Sequence, residues 1–148
     1  MFWVASHFLR AIGLILAFHR DFAHCAFELA RPARCFWAFV GTAAMQKGPI
    51  SWAGHHISHH TYADRDGDPH RPAVSGFNNA LTAFFAVGEG WHNIHHRYQR
   101  AARTGCYWWE FDPTYSVVAV MAWLGLAWNL QAVPARIYDE ARRRARVT

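Results

Sequence analysis

The chain has 148 residues, 53% of them hydrophobic, and it carries eleven histidines and eight tryptophans. This composition excludes a disordered chain, and the length predicts a single domain over residues 1–148. The three cysteines are odd in number and widely spaced, which excludes a disulfide scaffold and any CxxC motif. Of the net charge of +5, +3 lies in the C-terminal tail, and the basic residues form no stripe, so we expect no nucleic-acid partner.

Helices account for the predicted elements. In chain order, we predict helices over residues 3–24, 33–46, 51–61, 78–98 and 114–130. Residues 64–75 have the composition of a loop. Gly88 and Gly90 each weaken the fourth helix by roughly 1 kcal/mol relative to alanine. No segment shows convincing strand alternation, so the predicted fold class is all-α, a membrane-associated helical bundle.

Two segments bear on a membrane. Residues 2–18 are apolar apart from His7 and Arg10, and they reach the length of a span, about 20 residues, only if the helix continues to His24. No basic region or convincing cleavage site marks them as a signal peptide. Residues 113–135 are uncharged and can either span a membrane or lie on it. The basic residues that follow indicate a cytoplasmic, juxtamembrane tail, or else a solvated terminus.

Three histidine clusters stand out. The first has the spacing H-x4-H, and the other two share the spacing H-x2-H-H. Residues i, i+3 and i+4 lie on one face of a helix, within an arc of about 100°. Two such triplets are expected by chance roughly 0.002 times, although capped helix ends, core histidines or a solvated face remain alternatives. The candidate metal ligands are His19, His24, His56, His59, His60, His92, His95 and His96. We expect His7, His55 and His70 to lie outside the metal site.

Eight imidazoles are too many for one ion and about right for two. Imidazole suits zinc, copper, iron and nickel. Two metals held almost entirely by nitrogen ligands favour iron and dioxygen chemistry over hydrolysis. Soluble carboxylate di-iron bundles use glutamates and E-x-x-H motifs instead. Asp64, Asp68 and Glu89 are candidates to orient ligand rings, and each of them is equally a candidate turn or cap residue.

These motifs resemble the histidine boxes of the membrane fatty acyl desaturases, in their acyl-CoA, stearoyl-type Δ9 branch. The resemblance is carried by FHRDFAH at 18–24, SWAGHHISHH at 51–60, DPHRP at 68–72 and GEGWHNIHH at 88–96. YWWEFD at 107–112 and LGLAW at 124–128 also match the family. The resemblance covers nearly the whole chain.

The resemblance implies two irons held by the box histidines, with O2 as co-substrate. The implied reaction introduces a cis double bond into a long-chain acyl-CoA. NAD(P)H supplies the electrons through a separate cytochrome b5- or ferredoxin-type carrier. The protein would be integral to the membrane, with the boxes and the basic tail on the cytoplasmic side and the last helix a cap rather than a span. A related di-iron hydroxylase, an inactive remnant or a non-catalytic metal-binding membrane protein are the alternatives.

The chain departs from the family between residues 72 and 78. The family places two membrane helices and a ninth histidine there, whereas only a few residues separate Pro72 from Asn78. His7 lies twelve residues before His19, about 18 Å along a helix, so it does not replace that ligand. We therefore expect a site that is incomplete relative to the family.

Overall fold

The computed structural model describes residues 1–62, 80–105 and 109–138, without the side chains of 80 and 92–94. The predicted loop at 64–75, with Asp64, Asp68 and His70, lies outside the described residues, as does the tail from 139. The described chain is mainly helical, as predicted. Its elements are α1 (Phe2–Gly13), a π-helix (Leu14–Ala23), β1 (Glu28–Leu29), α2 (Arg31–Thr42), α3 (Pro49–Tyr62), α4 (Ala80–Phe85), α5 (His92–Arg97), α6 (Pro113–Trp123) and β2 (Ala127–Trp128).

The first helix changes pitch half-way along. α1 continues without interruption into the π-helix, which confirms one helix over about residues 3–24 but not its uniform α geometry. Beyond its end, the His24 N–H donates to the His19 carbonyl at 3.1 Å, and the Ala26 N–H donates to the Arg20 carbonyl at 2.8 Å. Together the two parts span Phe2–Ala23, 22 residues that are long and apolar enough to cross a membrane.

The π-helix is the centre of the packing. α2 and α3 both pack against it, and α2 also packs against α1. Gly13 and Gly41 meet where the first helix crosses α2. The two backbones are so close there that a Cβ at Gly13 would lie only 2.8 Å from the Gly41 nitrogen. Phe18, fully buried, fills one side of the crossing, and Leu16 packs on the other side into the core formed with α6. The histidine-bearing segment is thus enclosed by protein on both sides.

The predicted helix over residues 78–98 is wrong, because it breaks into α4 and α5. Val87 and Gly88 have φ angles of 47° and 111°, which no helix accommodates. Their carbonyls turn away to accept hydrogen bonds from the hydroxyls of Thr114 at 2.8 Å and Thr104 at 2.9 Å. A Cβ at position 88 would lie 2.6 Å from Asp112 Oδ1, so this position requires glycine.

The C-terminal helix is shorter than predicted. Asp112 caps α6 by accepting the Tyr115 N–H at 2.9 Å, and the helix ends at Trp123 rather than at residue 130. Gly125, with a φ of 72°, then reverses the chain. β2 consequently pairs antiparallel with β1, a two-residue ladder that the sequence did not predict. α2 likewise ends four residues before the predicted position 46, whereas α3 confirms the helix predicted over 51–61.

Candidate metal centre

Five of the seven candidate ligands with described side chains meet at one point. Each offers a ring nitrogen, and these nitrogens all lie within 4.8 Å of one another; the five are His19, His24, His56, His60 and His95. Successive Nε2 atoms are 2.9 Å apart for His19–His95, His24–His56 and His56–His60, and 3.0 Å apart for His60–His95. All three boxes therefore contribute to a single nitrogen cluster, which we call the five-histidine group.

Helical pitch explains the two different box spacings. His56 and His60 are four residues apart on α3, where an α-helix places such residues on the same face. His19 and His24 are five residues apart, a spacing that splays side chains in an α-helix. The π geometry closes i→i+5 hydrogen bonds and makes residues five apart neighbours instead. The change of pitch in the first helix thus brings His24 to the same point as His19.

Hydrogen bonding alone satisfies these rings poorly. Each Nε2 atom carries either a proton or a lone pair, so it can only donate or only accept. Nevertheless, the Nε2 atoms of His56, His60 and His95 each lie within 3.0 Å of two others. A cation that accepts one lone pair from every ring satisfies all of them. Neighbouring nitrogens bound at 2.0–2.1 Å around one ion lie about 3 Å apart, so the observed spacing fits a transition metal.

Burial keeps the ligand rings neutral. Loss of hydration on burial lowers the pKa of His24 to about 4 and that of His60 to about 2, and neighbouring histidines add to the effect at His60. The pKa of His95 lies well below its ordinary value for the same reason. A metal ligand must be deprotonated, and these rings are deprotonated at neutral pH without competition from protons.

Glu89 faces one of the five candidate ligand rings. Its Oε2 lies 2.8 Å from His19 Nδ1, on the opposite side of the ring from Nε2. Of the three acidic candidates, Glu89 is therefore the one seen beside a ligand; Asp64 and Asp68 lie outside the described residues. The other oxygen of Glu89 lies 3.5 Å from Arg20 Nη2.

Arg20 ties this site to the C-terminal half of the chain. Its side chain is 1% exposed, and its two terminal nitrogens donate to both oxygens of Asp112 at 2.9 and 3.1 Å. Although burial opposes ionisation, the Arg20 guanidinium holds the pKa of the Asp112 carboxyl below its usual range. The Thr104 N–H donates to the same carboxylate at 3.0 Å, and the Thr104 hydroxyl, which donates to the Gly88 carbonyl, lies 3.0 Å from it. The sequence indicated no role for these three residues, because they meet only in the fold. Arg20 and Asp112 are 92 positions apart, and Thr104 and Asp112 are 8 positions apart.

Two further candidate histidines with described side chains, His59 and His96, are not part of the five-histidine group. His59 and His96 lie beside it, with ring centroids 5.4 Å apart, and the His96 ring is 4.8 Å from that of His60. The side chain of His92 lies outside the described residues, so a second metal site on this side stays a prediction. His55 bonds the Ser51 carbonyl at 2.8 Å, and His7 Nε2 lies 3.4 Å from the Phe85 carbonyl.

An apolar cavity of about 670 Å³ adjoins the five-histidine group. Trp52 and Glu89 line the end beside the histidines, and the Trp52 ring stacks on His56 at 4.9 Å. Polar His7 also lines this cavity. Most of the remaining wall is hydrophobic; it includes Ala11, Leu14, Ile15, Leu81, Phe85 and Ala86. Trp52 and Glu89 therefore separate the cavity from the five-histidine group, each with one face toward it.

Known proteins similar to this chain are desaturases. The icosanoyl-CoA 5-desaturase of Limnanthes douglasii is 23% identical over 88% of this chain and 65% of its own length. The sn-1 stearoyl-lipid 9-desaturase of Anabaena variabilis is 24% identical over 88% of this chain and 81% of its own length. Over most of its length the chain is similar to fatty acyl desaturases. No protein-family model matches it.

The chain is shorter than its desaturase relatives. It spans 65% of the Limnanthes douglasii enzyme and 58% of the palmitoyl-monogalactosyldiacylglycerol delta-7 desaturase of Arabidopsis thaliana, which is 24% identical over 81% of this chain. The match to the former extends over 231 residues, although this chain has 148, so the relative contains segments without a counterpart here. That the segment between residues 72 and 78 accounts for them stays a prediction.

Proposed function

We propose that the chain is an O2-dependent di-iron oxidoreductase that introduces a cis double bond into a long-chain acyl-CoA. The observation that carries the proposal is the five-histidine group, with nitrogens from all three boxes within 4.8 Å of one another beside an apolar cavity. The desaturase relatives support the reaction class. The acyl-CoA form of the substrate follows the resemblance, and relatives named as acyl-CoA desaturases support it.

The box histidines are proposed to hold the two irons. The five-histidine group would bind one ion, and His59, His92 and His96 would contribute to the second. When bound, the irons supply the chemistry that activates O2 and removes two hydrogens from an unactivated hydrocarbon. The chain itself supplies neutral imidazoles fixed in place by buried partners, so little rearrangement accompanies metal binding.

The apolar cavity is proposed to hold the acyl chain and exclude water from it. Each methylene transferred from water into such a site contributes about 0.8 kcal/mol, so binding strengthens with chain length until the cavity is filled. The Trp52 indole forms the wall between the cavity and His56 and would fix how closely the chain approaches the metal site. His7 presents a polar ring to the cavity at a distance of about 18 Å along the helix from His19.

The electron donor and the membrane complete the proposal. A separate cytochrome b5- or ferredoxin-type carrier, reduced by NAD(P)H, would deliver electrons. The family is membrane-associated, and the first helix is long and apolar enough to cross a membrane. We place the histidine boxes and the basic tail on the cytoplasmic side, as the excess of arginine in the tail favours.

The test is turnover by the full chain in detergent or vesicles. Iron-loaded protein, supplied with a reductase, a carrier and O2, is expected to contain close to two irons and to convert stearoyl-CoA into a mono-unsaturated product identified by mass spectrometry. His60→Ala should abolish the product, whereas His55→Ala, which changes a neighbouring histidine outside the five-histidine group, should not. An alcohol product would instead identify a hydroxylase, and iron binding without oxygen consumption would identify a non-catalytic metal binder.

A further inference from the structure

We propose that Asp112, Arg20 and Glu89 form a positioning relay that fixes the His19 ring as a metal ligand. Asp112 holds the Arg20 guanidinium through two hydrogen bonds, Arg20 holds Glu89, and Glu89 Oε2 faces His19 Nδ1 at 2.8 Å. The inference rests on the proposed function only in taking His19 as a metal ligand.

Each member of the relay is fixed from the side remote from the metal site. Asp112 accepts the N–H groups of Thr104 and Tyr115, at 3.0 and 2.9 Å, so the start of α6 holds its carboxylate in place. Arg20 Nη1 also donates to the Ala102 carbonyl at 2.9 Å. Glu89 follows directly after Gly88, whose position is restricted by contact with the same Asp112 carboxylate. Hydrogen bonds thus hold Asp112 and Arg20 in place, and Arg20 Nη2 lies 3.5 Å from Glu89 Oε1.

The relay determines which ring nitrogen of His19 carries the proton. A carboxylate 2.8 Å from Nδ1 favours the tautomer with the proton on Nδ1 and the lone pair on Nε2. His19 Nε2 lies 2.9 Å from His95 Nε2, inside the five-histidine group. Arg20 Nη2 lies 3.5 Å from Glu89 Oε1 and so restrains this carboxylate. Asp112 does not contact His19 and therefore acts through Arg20.

A second arginine–aspartate pair provides a matched control. Arg34 donates to both oxygens of Asp21 at 2.8 and 2.9 Å, a geometry as good as that of Arg20 and Asp112. Asp21 is on the same π-helix, one residue after Arg20. The side-chain hydrogen bonds seen for the Arg34–Asp21 pair do not include a box histidine; only the Asp21 backbone carbonyl meets one, the N–H of His24. Breaking it should weaken the fold without altering the ring of His19.

The first experiment measures cobalt(II) binding to the full chain in detergent, by competition with a chelator and by the visible spectrum of the bound ion. Partners that orient metal ligands typically change metal affinity by about 10- to 100-fold. Glu89→Gln is expected to weaken cobalt binding in that range and shift the spectrum. Asp112→Asn should produce a smaller loss in the same direction, and Asp21→Asn should leave both the affinity and the spectrum unchanged. Wild-type affinity in Glu89→Gln, or an equal loss in Asp21→Asn, would overturn the relay.

The second experiment needs no metal and no substituted relay residue. Nitrogen-15 spectra of the histidine rings in the metal-free wild type, with the His19 signals assigned by their loss in His19→Gln, report the position of the ring proton. A proton on Nδ1 is expected, and a proton on Nε2 would overturn the relay. If the relay passes both tests but no alkene forms, the proposed function fails alone. If stearoyl-CoA is desaturated while Glu89→Gln and Asp112→Asn bind cobalt as wild type does, the relay fails alone.

Discussion

The two halves of the first helix have similar composition and opposite surroundings. In α1, large apolar side chains such as Phe2 and Trp3 are 77% and 78% exposed. In the π-helix, residues 14–21 are all buried. Each half contains one histidine and one arginine, His7 and Arg10 in α1 and His19 and Arg20 in the π-helix. Hydropathy therefore recognises one apolar helix, whereas packing divides it into a half with an exposed apolar surface and a buried half that positions a candidate metal ligand, His19.

Substitution of the arginine in each half should give the largest difference in the free energy of unfolding. Arg10 donates to the Ser6 carbonyl of its own helix at 3.1 Å, whereas Arg20 is enclosed with two carboxylates. Arg20→Met leaves Asp112 buried without its partner and is expected to lower the free energy of unfolding by about 3–5 kcal/mol. Arg10→Met should change it by less than about 0.5 kcal/mol. Denaturant unfolding in detergent measures both, and a similar cost for the two would contradict the division.

Two leucines test packing without charge. Leu16 is 0% exposed and belongs to the core shared with α6, whereas Leu9 is 47% exposed. Leu16→Ala is expected to destabilise the fold by about 2–4 kcal/mol, because it leaves a cavity as well as removing buried surface. Leu9→Ala should cost less than about 1 kcal/mol in detergent. The difference in unfolding midpoint between the two variants gives the comparison, and equal midpoints would show that the halves are equally packed.

Acidification should destabilise the metal-free fold at His24, the residue that follows the π-helix. The pKa of His24 is about 4 in the folded protein, against about 6.5 in an unfolded chain. Between those values the unfolded state binds a proton that the folded state does not, so the metal-free protein loses stability as the pH falls from 6.5 towards 4. The expected loss is about 1.4 kcal/mol per pH unit for each such histidine. Unfolding measured from pH 7 to 4.5 should show a shallower slope in His24→Gln; an unchanged slope would exclude His24 as the source.

Local patterns predicted much of the helical structure. The spacing of His56 and His60 indicated one face of a helix, and α3 brings both into the five-histidine group. The resemblance of the boxes likewise indicated that His19, His24 and His95 would join them. The side chains of His59 and His96 lie beside the group, and whether they bind a second ion remains a prediction.

Two features of the fold, the π pitch of the first helix and the break between α4 and α5, depend on contacts between distant parts of the chain. The π pitch of residues 14–23 was not predictable, because it accompanies a pairing of Arg20 with Asp112, 92 positions away. The break between α4 and α5 follows from hydroxyl groups of Thr104 and Thr114 that hold the carbonyls of residues 87 and 88. Gly88 was visible in the sequence only as a weak point in a helix, not as the place where that helix ends.

Metal binding by the two histidines of the first helix tests the central claim most directly. His19 lies in the five-histidine group, whereas His7 lines the apolar cavity. We predict that wild-type protein and His7→Ala bind cobalt(II) with equal affinity, and that His19→Ala binds it at least about 100-fold more weakly, as loss of a ligand requires. Equal binding by His19→Ala and wild type, or an equal loss in His7→Ala, would contradict the assignment of the metal site to the π-helical half.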